Sequence, residues 1–230
     1  MSSKKIDETA LVIRPASEFE IDYPDAPMLK KEEQKKIQNA ITTGGLAIGT
    51  KTYVNSRKVQ TLLNTDKKGV NIVINESSND DVKRLGNDDY LSTPQIQKEI
   101  AKRKEQPRSV LEREKLGYSG KCLEAFSNNA VLNKERTMES DRINNARPTI
   151  GAKTLRERKS TVSELSGKPL DGKARVHHKN RFADKPEEAL DKDNLVVITE
   201  AEHDEFHSSE FLQNESGYEE FKKAKMRDKD

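Results

Sequence analysis

The chain has 230 residues, of which 32% are hydrophobic, 5% aromatic and 36% charged, with no tryptophan. So polar a composition favours two modest cores over one large one. A single cysteine, Cys122, excludes an internal disulfide framework and a zinc cluster built from cysteines. No run of about 18 apolar residues and no secretory signal is present. We therefore expect no membrane segment and a cytoplasmic location where the protein is made.

The charges are segregated along the chain. Residues 1–99 carry equal numbers of basic and acidic groups. Residues 100–181 carry 20 basic and 10 acidic groups, whereas residues 182–230 carry 7 basic and 15 acidic groups. A basic block of this kind is typical of a surface that contacts the phosphates of a nucleic acid, although a solvated helical face is the simpler alternative. The arginines of this block that are candidates for phosphate contact are Arg142, Arg147, Arg156 and Arg158.

The first part of the chain predicts a flexible arm over residues 1–30, with a short apolar run at Leu11–Ile13, and then a small α+β region over 31–110. A helix is expected over 30–41, because apolar residues recur on one face and Thr-Thr-Gly-Gly follows. The next segment, 46–54, alternates as a strand does. A second helix is expected over 56–63, capped by Asn55 or Ser56.

Further along this region, Lys67-Lys68-Gly69 predicts a turn into a strand over Val70–Ile74, whose residues are largely β-branched. The polar residues 75–81 predict a loop. Ser92-Thr93-Pro94 predicts a helix start, because a hydroxyl cap precedes a proline in the first turn. After residue 110, Tyr118, Leu123 and Phe126 are expected to form a small core.

All four histidines of the chain lie between residues 177 and 207. The first two, His177 and His178, end a segment that alternates as a strand from Lys173. This alternation predicts that Ala174 and Val176 face the core while Arg175 and His177 face the other side. A polar loop through Asp193 follows.

The other two histidines, His203 and His207, are one helical turn apart. They follow an apolar strand over Leu195–Ile198, and Thr199 with Glu202 predicts a capping box that starts a helix at about residue 200. Two imidazoles at i and i+4 can chelate one cation. With His177 arriving from the first strand, the sequence predicts a three-histidine metal site with an open coordination position.

The order of these elements resembles the HNH nuclease motif, whose fold is called ββα-metal. Within that superfamily, it is most similar to the DNase domains of colicins and S-type pyocins. The resemblance covers roughly residues 160–210 and rests on four elements: Ser166-Gly167-Lys168, His177-His178, Asp193-Asn194-Leu195 and the pair His203/His207.

The resemblance implies an HNH domain over residues 111–230, with its core motif at 166–212, that hydrolyses the phosphodiester bonds of DNA. His177, His203 and His207 would hold one divalent cation, Mg²⁺, Zn²⁺, Ni²⁺ or Mn²⁺. His178 would be the general base and Asn194 would orient it through the loop. The residues expected to contact nucleic acid are Lys173, Arg175, Lys179, Arg181, Arg156 and Arg158.

Such an enzyme would act on DNA in the cytoplasm of a host or target cell, as a phage or mobile-element nuclease or as a bacterial toxin with an immunity or regulatory partner. RNA is a possible substrate, because activated water does not distinguish the sugars.

Two features depart from the bacteriocin and phage patterns. Arg175 stands where the bacteriocin enzymes have an acid, and the Cys-x-x-Cys pairs of many phage enzymes are missing. A nucleic-acid-binding or interaction protein, with a degenerate motif that serves only as a structural metal scaffold, is therefore the alternative.

Overall fold

A computed structural model describes residues 12–170 and 172–227. Within these ranges the protein is α+β, with eight α-helices and two antiparallel sheets. The chain divides into two compact units, a first unit that ends at Arg136 and a second unit that begins at Thr137. Residues 111–136 therefore pack with the first unit, whereas the prediction assigned them to the second domain. No helix in the described ranges is long and apolar enough to cross a membrane.

The first unit is built on a five-stranded antiparallel sheet in the order β1-β2-β3-β5-β4. Its strands are β1 (Ile13–Pro15), β2 (Gly45–Ile48), β3 (Lys51–Asn55), β4 (Val82–Leu85) and β5 (Asp88–Ser92). Its helices are α1 (Lys31–Gly44), α2 (Ser56–Leu62), α3 (Lys67–Glu76), α4 (Thr93–Lys104) and α5 (Val110–Ser127). A sixth helix, α6 (Ala130–Arg158), contains the division between the units.

The core of the first unit is apolar. Tyr118, Leu123 and Phe126 are buried, as predicted, but they belong to a larger cluster that includes Ile41 and Val54. Cys122 is a buried free thiol in the same cluster, and burial raises its pKa to about 11. A thiol in this environment contributes to the packing of the core.

Local signals predicted several helix starts correctly. Asn55 caps α2 by accepting a hydrogen bond from the backbone N–H of Arg57. Ser92 caps α4 in the same way through Gln95. The helix predicted over 30–41 is confirmed as α1 and ends at the predicted glycines.

One predicted strand is divided by a turn, and another predicted strand is wrong. Residues 46–54 form the β2–β3 hairpin, because Gly49 adopts a positive φ of 58° that turns the chain. The segment Val70–Ile74 lies inside α3. Asp66 caps that helix through Gly69, and Val70 and Val73, three residues apart, bury one face. Tertiary burial here outweighs the preference of β-branched residues for strands.

Residues 1–11 of the predicted arm, with Leu11, lie outside the described residues. From Ile13 onward the segment is ordered by its contacts, because β1 pairs with β2 and Ala16 and Phe19 are buried.

The second unit contains a two-stranded antiparallel hairpin and two further helices. These are β6 (Ala174–His178), β7 (Leu195–Thr199), α7 (Glu200–Ser208) and α8 (Glu215–Arg227). Its buried apolar cluster includes Leu165, Ile198, Phe206, Tyr218 and Phe221. The predicted strand, loop, strand and helix are confirmed, while α8 was not predicted. Asp171 and residues 228–230, which belong to the domain predicted over 111–230, lie outside the described residues.

Candidate metal centre

Strand β6 presents His177 to the interior of the second unit. In the β6–β7 ladder, His177 pairs with Val196 and His178 with Leu195. The predicted facing is wrong, because His177 is only 4% exposed while Ala174 and Val176 are half-buried. The centroid of the His177 ring lies 5.0 Å from that of Phe206, and the Tyr218 ring stacks on it at 6.1 Å. Helices α7 and α8 therefore bury His177 on the side that the alternation placed opposite the core.

Helix α7 supplies the two other imidazoles. It starts with the predicted capping box, in which Thr199 accepts from the Glu202 N–H and the Glu202 carboxylate accepts from the Thr199 N–H. The same carboxylate accepts a hydrogen bond from Ser163 at 2.6 Å. These bonds fix the start of the helix at Glu200, three residues before His203.

The three histidines predicted as ligands come together in the structure. One ring nitrogen from each of His177, His203 and His207 lies within 4.8 Å of the others. The ring centroids are 5.5 Å apart for His177 and His203, 5.1 Å for His177 and His207, and 4.5 Å for His203 and His207. His177 is buried, His203 half-buried and His207 exposed. The cluster can hold one metal ion, with one side toward solvent.

Burial lowers the pKa values of His177 and His207. Burial, followed by the neighbouring histidines, lowers the pKa of His177 to about 3. Burial and His203 also lower the pKa of His207. Imidazole binds a metal through the neutral form, so the environment favours the form that ligates.

The chemistry of the donors fits a cation. Among the described residues, no hydrogen-bond partner is available to the buried Nε2 of His177. A buried polar nitrogen without a partner costs free energy unless another ligand satisfies it. Three imidazole nitrogens suit Zn²⁺, Ni²⁺ and similar ions, so the donor set is compatible with a metal without identifying it.

His178 has a different environment from its neighbour. It is half-buried, and its Nε2 lies 3.0 Å from the backbone oxygen of Ala189. A carbonyl oxygen only accepts, so Nε2 donates the proton. In the neutral ring the lone pair is then on Nδ1, where it can accept a proton.

Asn194 holds the loop between the strands. Its Oδ1 accepts from the Asn180 N–H at 2.7 Å, and its Nδ2 donates to the backbone oxygens of Asn180 at 3.1 Å and Glu188 at 3.0 Å. Asn194 is 4% exposed. Because Glu188 precedes Ala189, these bonds fix the backbone that contacts His178.

Most of the predicted nucleic-acid contacts are paired with acids of the second unit. Arg175 forms an ion pair with Glu200, the first residue of α7, and the Lys173 ammonium lies 4.0 Å from the same carboxylate. Lys179 pairs with Glu215 at 2.7 Å, and Arg181 lies 3.7 Å from Asp184. The Arg175 and Arg181 side chains are exposed, and exposed ion pairs of this kind contribute little to the stability of a fold.

The four arginines predicted as candidates for phosphate contact differ in their interactions. Arg158 binds the Glu164 carboxylate and the backbone oxygen of Lys192, so it has a structural role. Arg156 is exposed and donates a hydrogen bond within its own helix, to the backbone oxygen of Ala152. Arg142 pairs with Glu139, and Arg147 lies over the Phe182 ring.

Two residues of the site were missed by sequence reasoning. Asn180 is 7% exposed and contacts both Asn194 and Glu188. Tyr218 of α8 is 2% exposed and stacks on His177. An asparagine in a polar loop and a tyrosine in an amphipathic helix are ordinary in sequence, and only their packing distinguishes them.

Comparisons with protein-family models, with curated proteins and with solved structures returned no match to this chain. The site is therefore interpreted from its own geometry.

Proposed function

We propose that the protein is a metal-dependent endonuclease that hydrolyses the phosphodiester bonds of DNA, with a C-terminal ββα-metal arrangement of the HNH type. One observation carries the proposal: three imidazole nitrogens lie within 4.8 Å of one another, directly beside a histidine, His178, whose Nε2 is held by the Ala189 carbonyl. His177, His203 and His207 would hold one divalent cation. When bound, such a cation supplies positive charge that stabilises the developing charge on a phosphoryl oxygen.

His178 is the proposed general base. Its Nε2 is engaged with Ala189, so Nδ1 is the atom that accepts a proton from water. The water oxygen then forms the new bond to phosphorus while the bond to the leaving sugar oxygen breaks. Asn194 keeps the tautomer and the ring in place by fixing the loop that carries Ala189.

The proposed nucleic-acid contact surface is formed by the cations around the hairpin. Arg175 extends from β6 on the same side of the strand as His177, since the two residues are two apart. Its partner, Glu200, lies on α7 at three and seven residues from His203 and His207, so all three share one helix face. Binding through Arg175 and Lys173 would be sensitive to salt and largely independent of sequence.

Plasmid nicking tests the proposal. Purified protein is incubated with supercoiled DNA and, separately, RNA in the presence of Mg²⁺, Mn²⁺, Ni²⁺ or Zn²⁺. We expect cleavage of DNA that falls by about 10²- to 10⁴-fold in His178→Ala, the usual range for removal of a general base. Asn144→Ala, on the exposed face of α6, is the matched control and should cleave as the wild type does.

Each other outcome has a definite meaning. Cleavage that survives His178→Ala would exclude this residue as the base. Cleavage of RNA alone would change the substrate class. Absence of cleavage with every cation would favour a nucleic-acid-binding protein that retains the histidines as a structural metal scaffold.

A further inference from the structure

Asn180 lies at the junction of three elements of the second unit. All four of its polar groups are bonded. Its N–H donates to Asn194 Oδ1 and its backbone oxygen accepts from Asn194 Nδ2. Its side-chain Nδ2 donates to Glu188 Oε2 at 2.7 Å, and its Oδ1 accepts from the Glu215 N–H at 3.0 Å. The residue thus connects the hairpin, the loop and the first residue of α8.

The loop turn at Glu188 and Ala189 is held from two sides. Asn194 holds the backbone oxygen of Glu188, and Asn180 holds its side chain. The next carbonyl, that of Ala189, is the one that contacts His178 Nε2. Ala189 is fully buried, so a displacement of Glu188 cannot be absorbed by movement into solvent.

We propose that Asn180 is a positioning residue that sets the orientation and tautomer of His178 through the Glu188–Ala189 turn. This inference rests on the proposed function, in which His178 is the base. Asn180 touches none of the reacting atoms. It transmits the position of α8 to the turn, because the α8 backbone at Glu215 donates to the same side chain that holds Glu188.

The bond between Asn180 and Glu188 can be broken and remade by exchanging donor and acceptor. In Asn180→Asp the new carboxylate still accepts from Glu215, but it faces the Glu188 carboxylate as a second acceptor, so the bond is lost. In the double variant Asn180→Asp/Glu188→Gln the glutamine donates to the aspartate. The hydrogen bond then returns with its polarity reversed. Asn144→Asp adds the same charge on exposed α6 and serves as the control.

The first readout does not need activity. In the full chain, with and without Zn²⁺, ring ¹⁵N shifts of His178 report which nitrogen carries the proton. The signal is assigned by its loss in His178→Ala. We expect the Nε2–H tautomer in the wild type and Asn144→Asp, a mixture of tautomers in Asn180→Asp, and the single tautomer again in the double variant.

The second readout is cleavage kinetics. We expect kcat to fall on the order of tenfold in Asn180→Asp, the range seen when a supporting hydrogen bond is lost, with KM changed by less than about threefold, and kcat to recover in the double variant. A partial loss of folding would also lower the apparent kcat without changing KM, because it reduces the amount of active protein. Circular dichroism identifies that case, and Glu188→Ala then tests the same bond from its more exposed partner.

The results separate the two proposals. An unchanged tautomer and kcat in folded Asn180→Asp, or no recovery in the double variant, would overturn the positioning role. A wild type that cleaves nothing would overturn the nuclease, while the ring measurement would still decide whether Asn180 positions His178.

Discussion

In the first unit, buried polar side chains mostly serve the ends of helices and strands. Asn55 and Ser92 cap α2 and α4, and Thr52 bonds Thr93 where β3 meets the start of α4. In the second unit, buried Ser163 and Glu202 also serve a helix start, that of α7, whereas other buried polar side chains surround one loop and the histidine cluster. His177, Asn180 and Asn194 lie within the hairpin and its connection, and Nε2 of His177 is without a partner in the described chain.

This difference indicates where chemistry is located. Among the described residues, the three histidines of the second unit are the only group of three or more side chains that could hold a metal ion. The first unit has an extensive apolar core that stabilises it without such a group. In the second unit Phe206 and Tyr218 contact the His177 ring directly, so stability and metal binding should be coupled there.

The largest expected effect compares one aromatic residue from each unit. Phe126→Ala and Phe206→Ala each remove a buried ring, at 0% and 1% exposure, and each should lower the unfolding free energy by about 3–5 kcal/mol. Only Phe206→Ala should also weaken Zn²⁺ binding, measured by calorimetry, because this ring packs on His177. If Phe126→Ala weakened Zn²⁺ binding equally, metal binding would depend on the stability of the first unit as well.

Metal should stabilise the protein through the second unit. At free Zn²⁺ about 100 times Kd, we expect a gain of about 2.7 kcal/mol, seen as a higher denaturation midpoint that a chelator reverses. His207→Ala should abolish the gain at little cost to the fold, because His207 is exposed. Ser208→Ala, the next residue of α7 and also exposed, should retain it. A gain that persists in His207→Ala would exclude the three-histidine site.

The metal-free protein should lose stability as the pH falls. His177 has a pKa lowered to about 3 in the folded chain, whereas an unfolded histidine titrates near 6.5. Between these values the unfolded state binds the extra proton, so the unfolding free energy falls by up to about 1.4 kcal/mol per pH unit below about 6.5. Urea denaturation with chelator at pH 7.5, 6 and 5 measures this slope. His177→Gln should make this slope smaller. An unchanged slope would show that a group other than His177 causes the pH dependence.

Signals carried by neighbouring residues allowed part of this structure to be predicted. Caps at Asn55, Ser92 and Thr199 fix helix starts through hydrogen bonds to residues two or three positions away. The spacing of His203 and His207 places them on one helix face, and the hairpin brings His177 to them. These features depend on short segments, so they can be inferred without the tertiary fold.

What depended on distant contacts could not be predicted. Val70 and Val73 are helical because the first-unit core buries them, and residues 111–136 join that unit for the same reason. His177 faces inward because α8, which was not predicted, places Tyr218 against it. Asn180 acquires its role from Glu188 and Glu215, which are 8 and 35 residues away.

The smallest expected effect distinguishes the ring of Tyr218 from its hydroxyl. The ring stacks on His177 at 6.1 Å between centroids, whereas the buried hydroxyl has no hydrogen-bond partner among the residues described. Burial raises the pKa of this phenol, so it stays neutral and costs only its lost hydration. Tyr218→Phe should therefore increase the unfolding free energy by about 1 kcal/mol and leave Zn²⁺ affinity unchanged, while Tyr218→Leu should lower both. A loss of stability in Tyr218→Phe would instead show that an ordered water bonds the hydroxyl.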